Sequence, residues 1–392
     1  MTRPPARRAD ELRASGIAEM MRLAAQTPGA IRLEVGEPDQ PTPSHIVAAA
    51  FAAARDGFTR YTPAPGLPSL REALARKIAE HNGLPTTPEQ VVATSGSVFA
   101  LSAAMLAVLD PGDEALVPDP GWPNYRSALH LIGARAVGYP LVREAGYEPD
   151  LEALRRLVGP RTRALVVNSP SNPTGAVFAP ATVRALVELA AEHDLAVISD
   201  EVYEEFVYEG AHHSPAAFDR DGRVITIYGF SKTYAMTGWR LGYARATPAV
   251  AAAMGRIAEA MTGCPSSVAQ KAAEAALAGP RAEVDAMRAR YRRHRDLVAA
   301  TLGEAGLLAA VPRGAFYALV DLAHIEADST TLARRLLHEQ GVATAPGETF
   351  GPSARGMVRI SLATEGRQLE EGCRRIIRFA QGAADAGATG GR

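Results

Sequence analysis

From Glu89 onward the chain alternates short apolar runs with helix-forming stretches, and this alternation narrows the accessible folds more than any other feature. Residues 91–94, 115–117, 163–168, 195–199 and 224–228 read as strands, with helices expected over 99–109 and 180–193. Strands separated in this way build a parallel sheet covered by helices on both faces. In such sheets ligands collect beyond the carboxyl ends of the strands, so the loops that follow the strands are where chemistry should be sought. At 392 residues the chain exceeds what one core usually serves, roughly 250–300 residues, and two domains are expected. Residues 44–280 are expected to form the large α/β domain, with 1–43 and 281–380 making a smaller α+β domain. The glycine-rich stretch 381–392 is expected to be a disordered tail.

Composition excludes several classes of function. A net charge of -1 gives no electrostatic case for nucleic acid or an anionic membrane as partner. The longest apolar run, 46–54, is far short of the ~20 residues a spanning helix needs, and no signal-peptide core follows Arg3, Arg7 and Arg8. Cys264 and Cys373 lack metal-ligand spacing and read as free thiols, as in a reducing cytoplasm. The histidines are scattered, neither HExxH nor GxxxxGK occurs, and no metal is expected.

Several loops carry residues whose chemistry converges. Lys232 sits in GFSKTYAMTGWRLGY, with Arg240 eight residues on. A lysine kept from water beside another cation becomes a nucleophile for carbonyls, and a guanidinium fork suits phosphate, so the pair suits a phosphorylated aldehyde such as pyridoxal 5'-phosphate. The turn SGS at 95–97 feeds a helix whose N-terminus would seat a phosphate. Trp122 lies just past a strand end, where an indole could stack on a ring, although tryptophan is more often core. Asn172 stands in a proline-stiffened loop, and Asp200 at a strand end could cap a turn or hold a ring nitrogen protonated. Segment 17–25 is amphipathic and could cap a cleft or pack on the surface.

The string SKTYAMTGWRLGY resembles the Schiff-base segment of the class I/II aminotransferases, the fold-type I enzymes dependent on pyridoxal phosphate that include aspartate aminotransferases. Further matches run from Gly36 in GEPDQPTP, through SPSNPTG and DEVY, to Arg359 in VRISLA. The resemblance implies that Lys232 is the Schiff-base lysine and that Gly96, Ser97, Val98, Ser231 and Arg240 hold the phosphate. Trp122 would stack on the ring, Asn172 and Tyr203 would bond its phenolic oxygen, and Asp200 would face its nitrogen. Gly36, Trp122, Asn172 and Arg359 would receive the substrate, with Arg359 on its α-carboxylate. Tyr61, an ordinary rim residue by itself, would reach the phosphate of a neighbouring subunit, which implies a homodimer. Two departures are visible: Gly229 stands where many relatives place a phosphate-binding hydroxyl, and Val98 offers only its amide where relatives often add a hydroxyl or amine.

The expected activity is transfer of an amino group from an L-amino acid to a 2-oxo acid. The same scaffold also supports elimination or cyclisation, as in aminocyclopropane-carboxylate synthases, and fold does not choose between these. A cofactor-binding regulator is a third reading, disfavoured because the first ~30 residues are too few for a DNA-binding domain. No residue matches a second arginine for a side-chain carboxylate, which leaves the amino donor open.

Overall fold

The computed structural model describes residues 5–12 and 15–389, with side chains through 382. Eight strands form the central sheet: β1 Val91–Thr94, β2 Glu114–Asp119, β3 Arg135–Val142, β4 Glu148–Pro149, β5 Thr162–Asn168, β6 Ala196–Asp200, β7 Val224–Gly229 and β8 Gly242–Arg245. Their order is β1-β8-β7-β6-β5-β2-β3-β4, parallel throughout the middle, with β8 antiparallel to both neighbours and β4 antiparallel at the far edge. The fold is thus the α/β class expected, with a mixed, mostly parallel sheet between helices.

Both faces of the sheet are buried, which is why its strands are apolar at successive positions. Leu165, Val167 and Val197 point into one core, and their neighbours Ala164, Val166 and Ile198 into another, as the two-residue period of a strand requires. On the second face lies the helix Ser97–Val108, whose sequence SVFALSAAMLAV carries no charge. It packs between the sheet and the helix Pro248–Thr262, which buries Ala100, Leu101, Ala103, Ala104 and Met105 and partly covers Phe99, Ala107 and Val108, whereas Val98 in its first turn stays exposed.

A third core joins the two ends of the chain. Met20 and Ala24 of the helix Gly16–Ala25 share it with Leu33, with Leu332 and Leu336 of the helix Ser329–Gln340, and with Ile376 of the helix Gly366–Thr389. Its sheet is antiparallel, with Met357–Ser361 between Tyr317–Asp321 and Ala345–Pro346, and a separate parallel pair joins Ile31–Arg32 to Val342–Ala343. Ser361 donates its amide to Leu33 O at 2.8 Å, which ties the early segment to the late sheet.

Three local differences from the sequence-based expectation have physical causes. The helix expected from 99 begins at Ser97, because Gly96 turns the chain at φ +90° and its carbonyl accepts the amides of Phe99 and Ala100. Strand β3 escapes pattern reading because Gly138 and Pro140 interrupt RAVGYPLV and several of its residues are only half-buried. The long helix expected over 281–305 is α-helical over Ala282–Val298 and closes in a π-helical turn, Ala299–Gly303. In the stretch 381–392 the backbone helix runs to Thr389, and 390–392 lie outside the described residues.

Candidate active site

The carboxyl ends of the central strands open into one cleft lined by Ser97, Trp122, Asn172, Asp200, Lys232 and Arg359, among others. The register explains the gathering: Asn168 pairs with Asp200, and Asp200 with Ile227, so the ends of β5, β6 and β7 lie abreast. Lys232 follows β7 on the single helical turn Phe230–Thr233.

One end of the cleft suits an anion. The amides of Ser97 and Val98 open a helix and precede the first amides bonded within it, those of Phe99 and Ala100, so they have no acceptor in the helix and lie at the positive end of its dipole. Arg240 sits at φ +53°, donates Nη1 to Thr237 O at 2.7 Å, and lies over the Gly96 turn. A Cβ on Gly96 would stand 2.7 Å from Arg240 Nη2, and one on Gly242 would strike the amide nitrogen of Ser97. Both glycines therefore make room for close approach. No carboxylate among the described residues pairs with Arg240, and Ser231 adds a hydroxyl to the same end of the cleft. These donors fit a phosphate monoester.

The Lys232 amine donates to Gly36 O at 2.6 Å. Burial pushes it down to about 8, with Arg359 and Arg240 acting in the same direction and Glu37 opposing them. At neutral pH a useful fraction is thus uncharged and nucleophilic. Gly36 is required for space: a Cβ there would collide with the Tyr317 hydroxyl, and its backbone is not left-handed.

Asp200 is buried at the end of β6, and that burial raises its carboxyl to about 6. The Tyr125 hydroxyl donates to Asp200 Oδ2 at 2.6 Å and favours the ionised form. Asp200 Oδ1 accepts the Val202 amide at 3.4 Å, and the carboxylate lines the cleft, where it could meet a cationic ring nitrogen, the pairing a pyridine cofactor requires. Trp122 lies edge-on to Tyr125, with centroids 5.5 Å apart and planes at 85°.

Arg359 is 2% exposed and lies between two aromatic rings, Tyr317 at 4.3 Å and Phe350 at 4.8 Å. Its Nη1 donates to Asn172 Oδ1 at 3.0 Å and its Nη2 to Glu34 O at 2.7 Å, whereas Nε has no partner among the described residues. A buried guanidinium with a spare donor is built to take a carboxylate. Tyr203 shares a hydrogen bond of 2.9 Å with the Tyr317 hydroxyl, and burial holds its phenol well above the usual range.

Of the residues singled out from sequence, Gly36, Ser97, Val98, Trp122, Asn172, Asp200, Tyr203, Ser231, Lys232, Arg240 and Arg359 line this cleft, and Gly96 lies against Arg240 behind it. Tyr61 does not; it is 95% exposed elsewhere on the surface. The cleft also contains Tyr125, Asn168, Val202, Thr237 and Tyr317, which sequence reasoning did not single out, and Ile17, the first residue of the segment expected to cap a cleft or pack on the surface. Of the former, Tyr125, three residues after Trp122, was the one with a local signal.

Known proteins share this fold. The aminotransferase class I and II family profile matches residues 28–376. The aspartate/prephenate aminotransferase of Thermus thermophilus is 43% identical over 364 residues, covering 92% of this chain and 94% of that one. The aromatic-amino-acid aminotransferase 2 of Thermococcus litoralis is 39% identical over 367 residues, covering 92% and 94%. The solved aspartate aminotransferase from Thermus thermophilus with maleate superposes at a TM-score of 0.92 with 41% identity, covering 96% of this chain and all (100%) of that one. These relatives carry the names of aminotransferases, and nothing among them favours the elimination or cyclisation chemistry that the scaffold alone leaves open. Similarity along nearly the full length, together with a lysine, an aspartate and an anion seat at the ends of one sheet, has a single consequence: the chain belongs to the aminotransferase class I and II family, as a fold-type I enzyme dependent on pyridoxal phosphate.

Proposed function

We propose that the chain moves the amino group of an L-amino acid to a 2-oxo acid in this cleft, with Lys232 as the residue that anchors the cofactor and then carries the proton. The observation that supports this most directly is the placement of the Lys232 amine, bonded to Gly36 O at 2.6 Å, in one cleft with Asp200 and Arg359. Bound pyridoxal 5'-phosphate supplies an aldehyde for the amine and a ring that accepts the electron pair left at Cα. Gly96, Ser97, Val98, Ser231 and Arg240 hold its phosphate, and Trp122 covers one ring face. Asp200 keeps a proton on the ring nitrogen, while Asn172 and Tyr203 face the phenolic oxygen.

Arg359 binds the substrate α-carboxylate with the guanidinium donors left over by Asn172 and Glu34, and so orients the Cα–H bond toward Lys232. Lys232 in its uncharged form would take the proton from the substrate Cα and, as the ammonium, would give it to the cofactor's C4', acting as base and then acid. Substituting Lys232 by alanine should abolish turnover, and borohydride reduction of the wild-type holoenzyme should fix a cofactor mass to Lys232. A Lys232→Ala protein that transaminates at the wild-type rate would refute the assignment.

The working unit in this reading is a homodimer in which Tyr61 of one subunit reaches the phosphate held by the other. Tyr61 and Met261 are both large, apolar and exposed, and the Thr62 amide lies 3.4 Å from Cys264 Sγ, so the two segments share one surface. A mixed dimer of Tyr61→Ala and Lys232→Ala subunits should regain activity at one site in two, whereas each variant alone stays impaired. Cytoplasmic residence is proposed on the free thiols of Cys264 and Cys373. No helix among the described residues is long and apolar enough to cross a membrane.

A further inference from the structure

The cleft holds three basic side chains among the described residues, and the proposed function uses all of them: Lys232 for the cofactor aldehyde, Arg240 for its phosphate and Arg359 for the α-carboxylate. What remains for a substrate side chain is uncharged, with Asn168 and Thr237 as its polar members and Ile17, Val98 and Val202 as its aliphatic ones. Ile17, Val98 and Tyr317 all line the cleft, and the Tyr317 hydroxyl is already bonded to Tyr203.

Ile17 is held firmly in place. Its helix, Gly16–Ala25, is capped by the Ser15 side chain, which accepts the Ile17 amide at 3.2 Å. One turn on, Met20 is fully buried in the third core. On the near side, a Cβ added at Gly16 would strike the Thr349 hydroxyl and stand 3.3 Å from the Pro346 ring, so the helix start is packed tightly against the segment that follows Ala345. The isoleucine cannot readily withdraw to admit a hydrated charge.

We infer that this enzyme selects amino acids with uncharged, apolar side chains, branched aliphatic or aromatic, and disfavours dicarboxylic ones. The inference rests on the proposed assignment of Lys232 and Arg359. Within its own subunit a second carboxylate would lie against Ile17 and Val98 with no further cation among the lining residues to meet it, and an unpaired charge in an apolar site is strongly penalised. Donor and acceptor occupy the same cleft in turn, so the same walls read both. The acceptor is therefore a monocarboxylic 2-oxo acid in preference to 2-oxoglutarate or oxaloacetate.

The test uses the holoenzyme in single-turnover half-reactions, following the visible absorbance of the bound cofactor on mixing with leucine, phenylalanine, aspartate or glutamate. Leucine or phenylalanine should react with a kcat/KM about 100-fold above that of aspartate or glutamate. Equal or faster reaction with aspartate or glutamate would overturn the inference. Ile17→Lys should raise aspartate relative to leucine by about tenfold, one charge pair's worth of discrimination; an unchanged ratio would remove Ile17 from the specificity wall. Melting shifts of the same holoenzyme give a readout independent of turnover, with 3-phenylpropanoate expected to stabilise more than succinate. Should no amino acid react at all, the proposed function fails, and the melting shifts still decide the inference: greater stabilisation by succinate overturns it.

Discussion

Arg359 decides which way Asn172 faces. Arginine can only donate, so the 3.0 Å contact from Arg359 Nη1 must be to the amide oxygen of Asn172, and the Asn172 NH2 is left to donate into the cleft. One buried contact thus couples the group proposed for the substrate carboxylate to the group proposed for the cofactor's phenolic oxygen.

The isosteric change Asn172→Asp separates the two roles. It would place a carboxylate permanently on Arg359, in competition with the substrate, and remove the donated N–H. The donor KM should rise between ten- and a hundredfold, the range of about 1.5–3 kcal/mol for a charged hydrogen bond. Asn172→Ala, which frees Arg359 instead of occupying it, should raise KM less while releasing cofactor more readily. Steady-state KM and cofactor release on dialysis, measured side by side, check the difference.

Asp200 should make the cofactor-free protein sensitive to pH in an unusual direction. Its carboxyl is raised to about 6 in the fold from an ordinary 3.8, chiefly by burial, so the folded state binds that proton more tightly than the unfolded chain. Its contribution is fully present below about pH 4, falls as pH rises toward about 6, and is level above, a loss bounded by roughly 3 kcal/mol. Denaturant unfolding of cofactor-free protein between these values should show the decline, and Asp200→Asn should flatten it. Tyr125→Phe removes the hydroxyl that favours ionisation and should extend the decline to higher pH.

Much of this site was legible because its motifs are local. Lys232 and Arg240 lie in one segment, SPSNPTG follows a strand directly, and Asp200 ends one, so chain order already placed them at the same edge of a parallel sheet. Tyr317 could not be found that way, and Ile17 only as part of an amphipathic segment that could equally have packed on the surface. Tyr317 reaches the cleft only because its strand pairs with Met357–Ser361, which carries Arg359, and Ile17 only because its helix packs against the third core. Gly36 was readable as a glycine but not for its reason, since the hydroxyl it must clear belongs to a residue 281 positions away. The start of the helix at Ser97 was placed two residues late because a serine and a valine look like turn and strand until Gly96 is seen at positive φ.

Lys232 should capture the cofactor with a pH profile set by its own titration. The amine reacts when uncharged, and burial holds it at about 8, so the second-order rate of uptake by stripped protein should rise about tenfold per pH unit below that value and level off above it. Glu37 opposes the downward shift and Arg359 contributes to it. Glu37→Gln should therefore move the midpoint to lower pH and Arg359→Gln to higher pH. Stopped-flow absorbance of the growing chromophore gives all three midpoints.

The two glycines around the anion seat should respond in opposite ways. At Gly242 an added Cβ meets the Ser97 amide nitrogen and the Gly96 carbonyl carbon, backbone atoms that can yield only if the turn itself shifts. Gly242→Ala should displace the amides that face the phosphate and weaken cofactor binding by at least about tenfold, the loss expected from one charge-assisted hydrogen bond. At Gly229 the backbone is extended, and a Cβ would come no nearer than 3.4 Å to Ser97 Oγ, an ordinary contact. Gly229→Ser should therefore fold normally and offer a further hydroxyl to the same seat, where Ser231 and Arg240 already converge. Its cofactor dissociation constant should fall below that of the wild type, and a rise in that constant would show that the space at Gly229 is needed by the phosphate itself.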